Sequence, residues 1–121
     1  MTLIIRDEGG DIISEANPVI TEHNGTLGDT VLLSLTLENI SKKHFHRDVV
    51  IQVNSSPPIE VDLNLPGGPT STIYAPRIDI RRINPLDKVN FILRSTVKAD
   101  TPEQVVAGTV LQVSSIRFPF N

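Results

Sequence analysis

The sequence predicts an all-β domain, built as an antiparallel β-sandwich of eight or nine short strands, and three observations carry the prediction. Val, Ile and Thr supply 36 of the 121 residues, against only 4 Ala. Side chains branched at Cβ suit pleated strands and crowd helices. Apolar and polar residues alternate one by one through several segments, the period of a strand with one buried face. Clusters of Gly, Pro, Asn and Asp recur about every 8 to 12 residues, as the turns of a sandwich do. A chain of this length forms one domain, residues 1–121, and buries roughly two-thirds of the surface its unfolded form exposes.

The elements follow in order. Residues 2–6 and 11–15 are β-rich runs joined by the turn sequence Asp7-Glu8-Gly9-Gly10, so residues 1–24 read as an N-terminal hairpin or arm. Pro18 to Thr21 reads as a short edge strand, with turns at Asn24-Gly25 and Gly28-Asp29. Thr30 to Asn39 is the clearest strand, with Val31, Leu33, Leu35 and Leu37 on one face. Ile40 to Phe45 reads as a loop, and Asp48 to Asn54 as a strand with Val49, Ile51 and Val53 inward. Ser55-Ser56-Pro57-Pro58 ends it, since proline cannot donate to a ladder. Ile59 to Leu65 alternates again, and Pro66-Gly67-Gly68-Pro69 breaks it. Thr70 to Tyr74 and Ile78 to Ile83 read as strands, followed by a turn at Asn84-Pro85-Leu86-Asp87. Val89, Phe91, Leu93, Ser95 and Val97 mark one face of the next strand. Glu103 to Ala107 fits a helical turn or a strand, and Thr109 to Phe118 is the last strand. A jelly roll or closed barrel accommodates the same spacing.

The composition removes several classes of function. Without Cys there are no disulfides, thiolate nucleophiles or cysteine-bound metals. Without Trp, and with five Phe and Tyr in all, the chain lacks an aromatic platform for nucleic acid, and a net charge of −3 argues against a polyanion partner. No apolar run approaches the roughly 20 residues of a membrane span. Met1 to Glu8 lacks the basic and apolar regions of a secretory signal, so a protein made in the cytoplasm and not exported is expected.

Few residues suggest chemistry. His44 and His46, two apart, would share one face of a strand and are the weak candidates for a metal, which needs further ligands. The carboxylates around Gly9-Gly10 fit a solvated hairpin tip better than a calcium loop, and Gly67-Gly68 lacks the lysine and helix of a phosphate loop. No serine lies in a nucleophile elbow, and none is expected to have an oriented histidine and carboxylate. Arg77, Arg81 and Arg82, with Arg94 on a nearby strand, form the basic cluster. Arg81 shares a strand face with Asp79, so local pairing and an inter-subunit contact are the two readings. Phe118 and Phe120 at the C-terminus either close the end of the sandwich or dock into a neighbour.

Gly28-Asp29-Thr30-Val31, followed by Leu35-Thr36-Leu37-Glu38-Asn39-Ile40-Ser41, resembles immunoglobulin-like β-sandwich modules of the bacterial and phage type. Asn84-Pro85-Leu86-Asp87-Lys88-Val89-Asn90-Phe91 is similar to their proline turn, with Leu86-Asp87 where they often carry Gly-Glu. The resemblance spans about residues 25 to 118 through short motifs, and the Cys–Trp–Cys core of antibody domains is absent. The opening Ile5 to Ile13, with Asn17-Pro18-Val19-Ile20 and Asn24-Gly25, resembles the start of small structural proteins of tailed phages.

That resemblance implies a non-enzymatic structural protein of a virion, a capsid decoration or a tail or minor capsid component, assembled in the host cytoplasm. Its expected partners are copies of itself and other virion proteins, with no cofactor, nucleic acid, membrane or small-molecule substrate. Arg77, Arg81, Arg82, Phe118 and Phe120 are the interface candidates. The alternative is a carbohydrate- or ligand-binding module, for which Tyr74 with Phe45 is the candidate platform.

Overall fold

The computed structural model describes residues 2–23, 27–55, 57–66, 73–98 and 105–120, with backbone alone for 105–107. Ten strands run in chain order: β1 (Leu3–Arg6), β2 (Ile12–Ile13), β3 (Val19–His23), β4 (Thr30–Asn39), β5 (His44–Val53), β6 (Ile59–Asn64), β7 (Arg77–Ile83), β8 (Lys88–Val97), β9 (Val105–Thr109) and β10 (Leu111–Pro119). There is no helix among the described residues. Every strand pairing is antiparallel, in a five-stranded sheet ordered β2-β1-β4-β8-β6, a three-stranded sheet β10-β5-β7 and a two-stranded ribbon β3-β9. The fold is therefore an all-β sandwich.

Alternation decides which residues fill it. Leu35 and Leu37 of β4, Phe91 and Leu93 of β8, and Val61 and Leu63 of β6 project from one sheet. Val49, Ile51 and Val53 of β5, with Ile78, Ile80 and Ile83 of β7, meet them from the other to form one buried cluster. Burial of each large aliphatic side chain stabilises the fold by about 1.5–3 kcal/mol. The ribbon lays Val19, Thr21 and His23 against the same interior.

Several expected elements move. β5 begins at His44, not Asp48, so His44 and Phe45 belong to a strand and not to a loop. Ile73 and Tyr74 are not strand residues, although Ala75 bridges Leu63; the remainder of the expected 70–74 strand lies outside the described residues. Val105–Thr109 settles as a strand, and a break at Val110 divides it from β10. The expected turns at 24–25 and 67–68 fall outside the described residues.

Two local features shape the three-stranded sheet. One residue of β10, Ser115, faces two of β5, because the register shifts between Ser114 and Ile116. Asp48 sits at this bulge with a φ of 51°, a left-handed conformation that aspartate tolerates better than most residues. Asn39, at the end of β4, is fully buried. Its Nδ2 donates to the carbonyls of His44 and Asn84, at 2.9 and 3.1 Å, and its Oδ1 accepts from Ser41 N. One amide thus fixes the start of β5 to the 84–87 turn, where Leu86 takes a φ of 63°.

Candidate functional site

The outer face of the three-stranded sheet gathers most of the residues expected at an interface. Register places Phe45 opposite Phe118 and Arg47 opposite both Ile116 and Arg82, so their side chains share that face. The rings of Phe45 and Phe118 stack at 5.2 Å, and Phe120 meets Phe45 edge-on at 6.4 Å. The Arg82 guanidinium lies 3.9 Å from the Phe45 ring centre, and that of Arg47 5.8 Å from Phe118. Phe120 N donates to the carbonyl of Lys43, which extends the β5–β10 ladder past Pro119 and holds the terminal ring in place. Phe118 and Phe120 therefore stand outside the core and do not close the end of the sandwich. Phe120 and Ile116 are each about half exposed, at 48% and 52%.

The charges here are unbalanced. Arg77 is held by Asp79 at 3.0 Å, while Arg81, expected to share that carboxylate, has no acidic partner among the described residues. The same is true of Lys42, Lys43, Arg47, Arg82 and Arg117. Arg82 instead donates its Nε to Asn84 Oδ1 at 2.6 Å. Arg94 does not join the cluster. It lies on the five-stranded sheet, bonded to Asp62 at 2.9 Å and stacked 4.0 Å from Tyr74. Tyr74 therefore packs on the five-stranded sheet while Phe45 lies on the three-stranded one, and the two form no common platform.

The histidines are committed elsewhere. His46 points inward, its Nε2 2.6 Å from Thr2 Oγ1 and its Nδ1 2.7 Å from Ser115 Oγ. Burial holds its imidazolium below the usual 6.5, and repulsion from Arg117 and His44 adds to the shift. His44 Nδ1 lies 3.1 Å from Ser41 Oγ. Among the described residues no three His, Asp or Glu side chains converge as a metal would need. The Asp7–Asp11 turn is closed on itself, Asp11 N donating to Asp7 Oδ1 at 2.9 Å.

One arrangement escaped the sequence. His23 Nδ1 lies 2.9 Å from Asp29 Oδ2, His23 Nε2 2.9 Å from Ser95 Oγ, and Ser95 Oγ 3.1 Å from Thr21 Oγ1. An oriented histidine and carboxylate therefore do stand beside a serine, contrary to expectation. No motif links positions 23, 29 and 95; only the packing of β3 over β8 joins them. With Nδ1–H donating to the carboxylate, Nε2 accepts the serine proton, the relay used in serine hydrolases. Ser95 is fully buried and His23 is 2% exposed, so a substrate carbonyl cannot reach the hydroxyl. In this geometry the array ties the β3-β9 ribbon to the five-stranded sheet.

No protein-family model, curated protein or solved structure matches this chain.

Proposed function

We propose that the protein is a non-enzymatic structural component that works by protein–protein contact through the outer face of the β10-β5-β7 sheet. The observation that carries this reading is the Phe45–Phe118–Phe120 cluster, half-buried at Phe45 and Phe118 and exposed at Phe120, collared by Arg47 and Arg82, neither of which has an acidic partner among the described residues. Phenylalanine and arginine are the residue types that protein interfaces favour, and the stacked guanidinium retains donors for a partner. The resemblance of the strand starts to phage-type immunoglobulin-like modules, and of the N-terminus to tailed-phage structural proteins, supports a virion setting. There it would serve as a capsid decoration or a tail or minor capsid protein.

The test is co-sedimentation with assembled particles from the cells that carry this gene. The wild-type chain should travel with the particles, and the Arg82→Glu/Phe118→Ser variant should remain at the top of the gradient. Equal behaviour of the two chains would sink the assignment of this face.

The Asp29–His23–Ser95 array has the residue types of a serine hydrolase, but its burial closes it to substrate and favours the structural role. Intact mass after incubation with a fluorophosphonate tests that closure. The chain should remain unmodified, and a stoichiometric adduct lost in His23→Ala would overturn the structural role of the array.

A further inference from the structure

We propose that the partner this face accepts is a second copy of the same chain, docked head to tail through its acidic N-terminal segment; the inference rests on the contact reading above and names the occupant. The sequence divides its charge by region. Residues 7–29 carry six carboxylates and no Lys or Arg. Asp29 is engaged by His23. Asp7, Glu8, Asp11, Glu15 and Glu22 have no cationic partner among the described residues, and the last four are exposed. The three-stranded sheet and the loop before it hold seven of the eleven Lys and Arg residues, against Asp48 and Asp79 alone.

The apolar surfaces match as the charges do. Ile12 and Ile20 are about half exposed beside the carboxylates. A groove between the β1–β2 hairpin, β3 and β4 is lined by Ile13, Pro18, Ile20 and Leu33, together with Asp7 and Glu8. An apolar groove with anions along it is the complement of phenylalanine rings with cations around them. Desolvated rings supply contact area, and the paired charges fix orientation and exclude like-charged alternatives.

Geometry also determines the kind of assembly. The basic face is built on β5, β7 and β10, and the acidic groove on β1 to β4, so one copy presents two different surfaces. A two-fold contact between two basic faces would set Arg47, Arg81 and Arg82 against their own counterparts. A head-to-tail contact leaves one surface of each kind open, so association continues to a ring or a filament and does not stop at two.

The experiment is sedimentation velocity with light scattering on the full chain. At low salt the mass should rise beyond a dimer with concentration, and affinity should fall roughly tenfold or more between about 0.05 M and about 0.5 M salt, as screening shortens the reach of the charges. Arg47→Glu/Arg82→Glu and Glu8→Lys/Asp11→Lys should each remain monomeric, with wild-type circular dichroism. An equimolar mixture of the two should associate again, because each retains one intact surface and the two reversed surfaces carry opposite charges. Arg82→Gln and Glu8→Gln repeat the comparison should a reversal unfold the chain. A wild-type chain that is monomeric throughout, a mass that stops at two, or a Glu8→Lys/Asp11→Lys variant that associates normally would overturn the inference. If the wild type is monomeric while Arg82→Glu/Phe118→Ser still leaves the particles, the contact reading stands and self-docking alone fails.

Discussion

The outer face of the five-stranded sheet and that of the three-stranded sheet are made of similar residue types put to opposite use. On the first, charges are matched across neighbouring strands: Arg6 with Glu38 at 2.9 Å, Arg94 with Asp62 at 2.9 Å, and Lys88 and Lys98 near Glu38 and Glu60 at 3.9 Å. Thr36 donates to Asn90 on the same face. On the second, Arg47 and Arg82 lie over phenylalanine rings, and Arg81 and Arg117 have no carboxylate partner among the described residues. The comparison teaches that cationic residues alone do not mark a surface for contact. What distinguishes the two faces is whether the cations are neutralised within the chain.

The largest effect should come from the polar array beneath the five-stranded sheet. Ser95→Ala leaves His23 Nε2 and Thr21 Oγ1, both buried, without their shared partner. Each orphaned buried group costs about 1–3 kcal/mol, so a loss of about 2–4 kcal/mol is expected from urea unfolding. A loss below about 1 kcal/mol would mean that the array does not hold the ribbon. Next comes Asp62→Ala on the matched face. Arg94 is partly covered, its side chain 34% exposed, and its Nε has no acceptor among the described residues. Removing its carboxylate should cost about 1–3 kcal/mol, measurable as a lower urea midpoint. An unchanged midpoint would erase the contrast between the faces.

How much of this was legible depended on periodicity. Thr30–Asn39 emerges with the bounds the alternation predicts, because one face is aliphatic throughout. The first half of β5 was hidden for a physical reason. The bulge at Asp48 puts His46 and Val49 on the inward side three residues apart, so a period of two cannot connect the halves. Phe45 consequently reads as loop in the sequence, which pairs it with Tyr74 and gives no sign that its ring unites Arg82 with Phe118 and Phe120. Ile80 and Ile83 show the same three-residue step on β7. Alternation places Ser95 on the inward face, but the hydrogen bonds that satisfy Asn39, His23 and Ser95 are not legible in the sequence. They join residues as far as 45 and 72 positions apart, which only the packing of the strands brings together.

A smaller effect belongs to His46, beneath the three-stranded sheet. Burial first, then Arg117 and His44, lower its folded-state value from 6.5. Below 6.5 the unfolded chain binds a proton that the folded one resists, so stability rises with pH in that window. The contribution is complete above 6.5 and is lost as pH falls from 6.5 to the lowered folded value. In proton resonances of the imidazole, His46 should titrate below 6.5, and melting should fall less on acidification in His46→Gln than in wild type. A His46 midpoint at or above 6.5 would remove this interior constraint from the account.

The smallest expected change tests the comparison most severely. Arg82→Gln deletes a charge from the open face while keeping a polar side chain of similar reach. Its stacking on Phe45 at an exposed site contributes about 0.5–1 kcal/mol at most. Part of that returns when the glutamine packs on the same ring, so the unfolding free energy should move by no more than about 0.5 kcal/mol. The same loss of a cation from the matched face, in Arg94→Gln, strands the 12%-exposed Asp62 carboxylate and should cost more. Parallel urea titrations of the two variants compare one chemical change in two settings. If both variants lose the same stability, Arg82 serves the fold, and the open face loses its claim to be reserved for a partner. If only Arg94→Gln falls, the unmatched cations of β5 and β7 contribute little inside the molecule, and selection for contact outside it is what accounts for their presence.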